Sequence, residues 1–96
     1  MDNEEVFRRL RALKPKFKDM NIKRMAVFGS RARGDARPDS DVDILIEPSS
    51  NTMTFFDMAG IQHSIEDEIS VSVDLLTFDS IHPRLKKRIL SEAKDV

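Results

Sequence analysis

The chain has 96 residues, of which 40% are hydrophobic and 34% charged, and its formal net charge is −1. This length suffices for one modest core, so we expect a single domain over residues 1–96. A net charge so close to zero lacks the basic footprint of a general nucleic-acid binder, and we expect no direct nucleic-acid binding. The absence of cysteine excludes disulfides, zinc thiolate sites and thiol chemistry.

The amino-terminal sequence MDNEEVFRRL is acidic and then basic, without the apolar segment of a signal peptide. No apolar run approaches the ~20 residues that a membrane span requires. We therefore expect a cytoplasmic protein with no membrane partner.

The first half of the chain predicts a helix followed by two strands. Asp2 or Asn3 can cap the helix, and Pro15 should kink it or end it early. The apolar stripe of this helix recurs at helical spacing and consists of Val6, Leu10, Leu13 and Phe17. Apolar runs then predict strands at Met25–Phe28 and Val42–Ile46, separated by a brief helical turn at Ser30–Gly34 and a loop, GDARPDS.

The second half predicts a helix from about Met53 to Ile69, a strand at Val71–Phe78 and a last helix that starts at Pro83. The stripe along the middle helix is either core or interface, and it consists of Phe55, Met58, Ile61 and Ile65. The fold class is therefore α/β (α+β), with a small mixed β-sheet flanked by helices. Because the sequence stops abruptly at AKDV, we expect a short final strand to be missing or only begun.

Three aspartates lie on or beside the predicted strands. Asp41 and Asp43 are two positions apart at a strand start, so both side chains should project from one face. Asp74 lies between Val73 and Leu75, where a carboxylate is costly unless it is paired or bound to a cation. If the second and third strands are neighbours, the three acids converge and repel by roughly 4 kcal/mol per pair at 4 Å. Mg²⁺ can offset that repulsion, so the three acids predict a metal site.

A Gly-Ser turn precedes these acids by about a dozen residues. Gly29 lets the backbone approach a ligand closely, and the helical turn that follows presents N–H groups that favour anions. Ser30 adds a hydroxyl donor, while Arg31 and Arg33 add positive charge. Because a metal held by carboxylates keeps open positions that phosphates fill, the two features together indicate a nucleoside triphosphate bound with two metal ions.

The segment GSRARGDARPDSDVDILIE resembles the signature of the DNA polymerase β-type nucleotidyltransferase superfamily. More closely, the chain resembles the minimal nucleotidyltransferases, the antitoxin halves of HEPN/MNT toxin–antitoxin pairs, from about Ile22 to Ala93. The resemblance implies that Gly29 and Ser30 hold the triphosphate and that Asp41 and Asp43 bind both Mg²⁺ ions. It further implies that Asp74 completes the metal site beside the attacking hydroxyl and could act as its base.

By the same resemblance, ATP would be the donor and a tyrosine of a partner HEPN ribonuclease toxin the acceptor. The toxin would be silenced by AMPylation with one or more AMP units. The residues themselves also indicate a partner, since the chain has no room for an acceptor-binding domain beside the predicted site. It contains no tyrosine, so tyrosine self-modification is ruled out and only Ser or Thr hydroxyls could be self-acceptors.

Several alternatives stay open at this point. Asp41 and Asp43 could form a solvated loop end, Asp74 could face water, and Arg31 and Arg33 could merely solvate a loop. The chain could be a non-catalytic inhibitor that blocks its toxin by binding alone. It could also modify a small molecule such as an aminoglycoside, although those relatives carry a second domain. Other Asp-x-Asp enzymes place the acids after an apolar strand, whereas here they precede one. The chain contains no GxxxxGK[ST] sequence, so it is not a P-loop ATPase.

Overall fold

The computed structural model describes residues 2–96, and this part of the chain forms four helices and four strands. In chain order they are α1 (Asn3–Ala12), β1 (Ile22–Phe28), α2 (Gly29–Arg33), β2 (Val42–Pro48), α3 (Phe55–Ile69), β3 (Val73–Thr77), α4 (Pro83–Glu92) and β4 (Lys94–Asp95). Two 3₁₀ turns, Lys14–Lys16 and Phe78–Ser80, follow α1 and β3. No helix within residues 2–96 has the length and apolar character to cross a bilayer.

The strands form one mixed sheet in the order β3-β2-β1-β4. The central strand β1 runs antiparallel to both β2 and β4, whereas β2 and β3 are parallel. The predicted fold class, a small mixed sheet flanked by helices, is therefore confirmed. The convergence of the acids was predicted on the condition that the second and third strands are neighbours. This condition is met, because β2 and β3 pair directly in the sheet.

Most element boundaries differ from the predicted ones for identifiable reasons. β1 begins at Ile22 rather than Met25, because the exposed side chains of Lys23 and Arg24 interrupt the apolar run without interrupting the strand. α1 ends at Ala12, and Pro15 lies in the following 3₁₀ turn. Proline is tolerated there because its missing N–H is needed only inside a helix.

The later boundaries differ in the same small way. α3 begins at Phe55 rather than Met53, since the Thr54 hydroxyl accepts a hydrogen bond from the Asp57 amide and the Asp57 carboxylate accepts one from the Thr54 amide. This capping box fixes the first turn of the helix. β3 is shorter at both ends than Val71–Phe78, and the short final strand is present as β4.

Two apolar layers cover the two faces of the sheet. On one face, helices α1 and α3 pack against the alternate strand residues Met25, Val27, Val42, Ile44 and Ile46. On the other face, Ile81 and Ile89 pack against Ala26, Phe28 and Leu45. The stripe of α3 is thus resolved, since Ile61, Ile65 and Ile69 are core whereas Phe55 is exposed.

This alternation decides where the acids point. Asp43 is two positions before Leu45, so it lies on the face of the sheet that α4 covers. Its cross-strand neighbours are Phe28 on β1 and Asp74 on β3. Because Phe28 is the last residue before α2, the Gly-Ser turn lies beside Asp43.

Candidate active site

The predicted residues surround an open cleft of about 680 Å³, which lies between α2, α4 and the parts of β2 and β3 where these strands begin. Its polar lining comes from three helices, α2, α3 and α4, and from the strands β2 and β3. It consists of Gly29, Ser30, Arg33, Asp43, Gln62, Asp74, Arg88 and Glu92. Phe28 and three leucines, Leu75, Leu76 and Leu85, form the apolar part of the wall. Five of the seven predicted site residues therefore lie around one cavity.

Asp43 and Asp74 form the acidic centre of this cleft. They are register partners on adjacent parallel strands, so their side chains leave the sheet side by side. Asp43 is half-buried, and its pKa is raised to about 6. Burial is the largest cause, followed by the charge of Asp74, a hydrogen bond with Asp74 and the charge of Asp41, whereas the charge of Arg33 lowers this pKa. Two strands thus hold mutually repelling carboxylates together.

Asp41 lies one step outside this pair. It precedes β2, which begins at Val42, so no strand pairing fixes its side chain beside the other two. Within residues 2–96, no three Asp, Glu, His or Cys side chains are grouped closely enough to hold a metal ion by themselves. Asp41 is nevertheless near enough for its charge to raise the pKa of Asp43. The predicted convergence is therefore close for Asp43 and Asp74 and looser for Asp41.

The donor set fits a hard divalent cation. All three groups offer carboxylate oxygens, the ligands that Mg²⁺ prefers. A cation bound by these carboxylates would relieve the repulsion that contributes to the raised pKa of Asp43. Two or three carboxylates leave coordination positions open, which is the usual arrangement where Mg²⁺ also binds phosphate.

Gly29 lies against the acidic pair. Its φ of +70° belongs to the left-handed region that favours glycine. A Cβ placed on this residue would overlap Oδ2 of Asp43 and would lie 3.2 Å from its Cγ. Only glycine therefore lets the backbone of the turn pass this close to the carboxylate.

The basic side chains of the cleft differ in their existing contacts. Arg33 is held by two carboxylates, with Nη1 3.0 Å from Glu92 and Nε 3.2 Å from Asp35. Its hydrogen bond to Asp35 is the main cause of its raised pKa. Arg88 also lines the cleft, one helical turn before Glu92 on α4. Two guanidinium groups and the Ser30 hydroxyl therefore line the same cleft as the acids.

Arg31 is placed differently from its predicted neighbours. Its side chain is buried, with 2% of its surface exposed. Nη2 donates hydrogen bonds to the carbonyls of Ser40 (2.7 Å) and Pro38 (3.1 Å), and Nη1 donates one to Oδ1 of Asn3 (3.3 Å). Arg31 thus ties α1 to the loop that ends at Asp41, and its predicted contact with nucleotide stays a prediction.

Comparison with known protein families decides the assignment. Residues 10–96 match the nucleotidyltransferase domain. The chain belongs to the nucleotidyltransferase family. The cleft that carries the Gly-Ser turn, Asp43 and Asp74 lies entirely within the matched residues.

Curated relatives of this nucleotidyltransferase are named protein adenylyltransferases. One, from Methanocaldococcus jannaschii, is 43% identical over 75 residues, which cover 78% of this chain and 80% of the relative. Another, the protein adenylyltransferase MntA of Thermococcus cleftensis, is 32% identical over 92 residues, covering 93% of this chain and 90% of the relative.

Solved structures confirm the fold. A minimal nucleotidyltransferase superposes with a TM-score of 0.85 at 34% identity and covers all of this chain and 97% of its own. A toxin–antitoxin complex with AMP-PNP superposes with a TM-score of 0.68 at 19% identity, covering 99% of this chain and 72% of its own. At that identity the second likeness concerns the fold alone.

Sequence reasoning did not anticipate three polar cleft residues of this nucleotidyltransferase, Gln62, Arg88 and Glu92. Lys86, Lys87 and Arg88 look like one solvated basic face in the sequence. Helical spacing places Arg88 with Leu85, Ile89 and Glu92 instead. That signal becomes useful only once α4 is known to pack beside α2.

The raised pKa of Asp43 predicts a pH-dependent stability in metal-free solution. The folded protein holds this proton up to about pH 6, whereas the ordinary pKa of an aspartate side chain is 3.8. Between pH 3.8 and about 6 the unfolded chain binds fewer protons at Asp43 than the folded protein does. The contribution of protonated Asp43 to the free energy of unfolding is therefore lost as the pH rises through this window. Urea unfolding with EDTA across this window should show the loss in the wild type and in Asp39→Asn but not in Asp43→Asn. If the free energy of unfolding changed with pH in the same way for all three proteins, this prediction would be wrong.

The buried guanidinium of Arg31 predicts a structural penalty for its removal. Arg31→Met should lower the free energy of unfolding by about 3 kcal/mol, because two carbonyls lose charged donors in a buried setting. Arg31→Lys should recover little, since one ammonium cannot reproduce the forked geometry. Urea unfolding measures both, with the exposed loop variant Arg37→Met as control. Equal stabilities of Arg31→Met and Arg37→Met would contradict the anchoring role.

Proposed function

We propose that this nucleotidyltransferase is a Mg²⁺-dependent protein adenylyltransferase that acts as an antitoxin. As a single cytoplasmic domain over residues 1–96, it transfers AMP from ATP to a tyrosine hydroxyl of a partner HEPN-type ribonuclease toxin. The observation that carries the chemistry is the pairing of Asp43 with Asp74 beside the Gly29–Ser30 turn in one cleft. The names of its relatives favour a protein as acceptor.

The acids have a defined task in this proposal. Asp43 and Asp74, joined by Asp41, would hold two Mg²⁺ ions, for which their clustered carboxylates are suited. When bound, the ions would neutralise phosphate charge and orient the reacting groups. Asp43 is fixed from both sides by β1 and β3, so its position would be the most precise of the three.

The Gly-Ser turn and the two arginines of the cleft would bind the triphosphate. The backbone of the turn passes close to the Asp43 carboxylate at Gly29, and the Ser30 hydroxyl, which also lines the cleft, can donate to a phosphate oxygen. Arg33 and Arg88 supply positive charge in the same cleft. Since Glu92 and Asp35 already hold Arg33, phosphate would have to compete with them, whereas Arg88 is better placed for the departing pyrophosphate.

The transfer step balances with these groups. The acceptor hydroxyl oxygen forms a bond to the α-phosphorus while the bond from that phosphorus to the bridging oxygen breaks. Pyrophosphate leaves with the bonding electron pair. The hydroxyl proton passes to a carboxylate oxygen, and Asp74, exposed at the mouth of the cleft, is placed to accept it.

The direct test uses the proposed HEPN-type toxin, purified and incubated with this protein, Mg²⁺ and ATP labelled in either the α- or the γ-phosphate. Label should enter the toxin only from the α-phosphate, and peptide mass spectrometry should locate AMP on a tyrosine. EDTA should stop the reaction. If neither Mg²⁺ nor Mn²⁺ supports any labelling while the two proteins still bind each other, inhibition by binding alone replaces this proposal.

A further inference from the structure

A second cavity of about 960 Å³ opens beside the active-site cleft. It is bounded by the beginning of α3, by the end of β2 and by β3, which is one of the two edge strands of the sheet. Gln62, Leu75 and Leu76 line both cavities, and Leu75 and Leu76 directly follow Asp74. The two cavities therefore meet at β3, next to the acidic pair. We call this cavity the acceptor groove.

Two exposed aromatic side chains lie where α3 begins, next to the acceptor groove. Phe55 and Phe56 are 93% and 90% exposed, the largest exposures among the large hydrophobic side chains of the described residues. Phe55 lines the groove together with Met53 and Met58. Adjacent, nearly fully exposed aromatic rings are unusual in a small water-soluble domain, and such patches mark contact sites.

The groove is held in a fixed shape relative to Asp74. The capping box of Thr54 and Asp57 fixes the turn that carries Phe55 and Phe56. Further along α3, the Gln62 side chain donates to the carbonyl of Val73 at 2.9 Å, and the Glu66 carboxylate accepts from the Val73 amide at 2.9 Å. α3 is thereby clamped to the residue just before Asp74.

The charge of the groove limits what it can bind. Asp79 is the one charged side chain among the described residues that line it, whereas the neighbouring cleft carries two arginines and three acids. A polycationic small molecule would find little negative charge here, and a nucleic acid would find no basic side chain. The lining suits an apolar segment of a protein.

Resting on the proposed function, we infer that the acceptor groove with Phe55 and Phe56 docks an apolar segment of the acceptor protein, whose hydroxyl then reaches the acids through the shared wall. The family's transfer chemistry requires a second substrate at the acids. In a chain of this size, the groove is the apolar surface continuous with them. Docking and chemistry would therefore use adjoining but separate residues.

The test is the affinity of the proposed HEPN-type toxin, purified and measured by isothermal titration calorimetry against the wild type and Phe55→Ser/Phe56→Ser. The dissociation constant should rise at least about tenfold, because exposed aromatic anchors at interfaces are commonly hot spots. Leu90→Ser, which removes a partly exposed side chain from α4, should leave it unchanged. ATP binding by all three proteins should be equal, since neither phenylalanine lines the cleft.

Equal toxin affinity of the wild type and the double phenylalanine variant overturns the inference, and so does a wild type that does not bind the toxin. A wild-type dimer that becomes monomeric in the double variant, with toxin affinity unchanged, assigns the surface to a second copy instead. Since binding is measured without catalysis, a toxin that binds through these residues but is never adenylylated refutes the proposed function and leaves the docking surface standing.

Discussion

Replacing Asp41 and Asp43 together by asparagine is expected to abolish nucleotide transfer, lowering its rate by more than about a thousandfold. The amide has nearly the shape of the carboxylate but brings neither the charge nor the second hard oxygen that a cation needs. Transfer of α-labelled AMP to the toxin measures the loss. Asp39→Asn, a change on the same loop outside the cleft, is the matched control and should retain activity within about twofold.

The same substitution should not weaken the fold. Burial and the charge of Asp74 oppose ionisation of Asp43, so a neutral amide removes an unfavourable interaction. Metal-free Asp41→Asn/Asp43→Asn should therefore unfold at a urea concentration equal to or above that of the wild type at neutral pH. A variant that loses activity together with stability would place these acids in the architecture rather than in the chemistry.

Gly29→Ala is expected to lower transfer by at least about a hundredfold, the loss that a misplacement of about 1 Å causes at a reacting centre. The added methyl group would overlap Oδ2 of Asp43, so the carboxylate has to move away from the turn. The positive φ of Gly29 adds a stability cost of about 1 kcal/mol for any other residue. Steady-state transfer rates and urea unfolding separate the two effects.

Gly34→Ala provides the matched control for this prediction. Gly34 also has a positive φ, +87°, but a Cβ placed there would meet nothing within 4 Å. This variant should show the stability cost of about 1 kcal/mol and should keep its transfer rate within about twofold. Equal activity losses in the two alanine variants would mean that backbone strain, not the contact with Asp43, makes Gly29 necessary.

Local sequence signals located the parts of the site that lie close together in the chain. The Gly29–Ser30 turn and the Asp41-x-Asp43 pair could be read from spacing alone. Asp74 could be added only under the condition that β2 and β3 are neighbours, because strand order is a property of the whole sheet. The structure meets that condition, and the register pairs Asp43 with Asp74.

Residues whose environment depends on helix packing could not be placed in this way. Arg31 lies two positions before a second arginine, Arg33, and nothing in that pattern distinguishes a buried anchor from a solvated arginine. Arg88 looked like part of a basic surface until the packing of α4 against α2 brought it to the cleft. Along α3, the periodic stripe correctly contained Ile61 and Ile65, yet its first member, Phe55, is exposed. Periodicity identifies a face but not where the covering layer ends.

The loose position of Asp41 also has a physical reason. Asp41 precedes β2, so no strand pairing fixes it beside Asp43 and Asp74, and like charges within a few ångströms repel. Its loop is nevertheless anchored at Ser40, the residue before Asp41, by a hydrogen bond from Arg31. We expect Arg31 substitutions to weaken metal binding through this loop as well as to lower stability.

The most direct test of this account is the position of Mn²⁺, a Mg²⁺ substitute located by its anomalous scattering, in crystals grown with a non-hydrolysable ATP analogue. We expect Mn²⁺ to bind carboxylate oxygens of Asp41, Asp43 and Asp74 at roughly 2.1 Å, the distance typical of Mg²⁺ sites. The phosphates of the analogue should lie against Gly29 and Ser30. A nucleotide bound with Mn²⁺ elsewhere on the protein, and no Mn²⁺ at these three carboxylates, would contradict it.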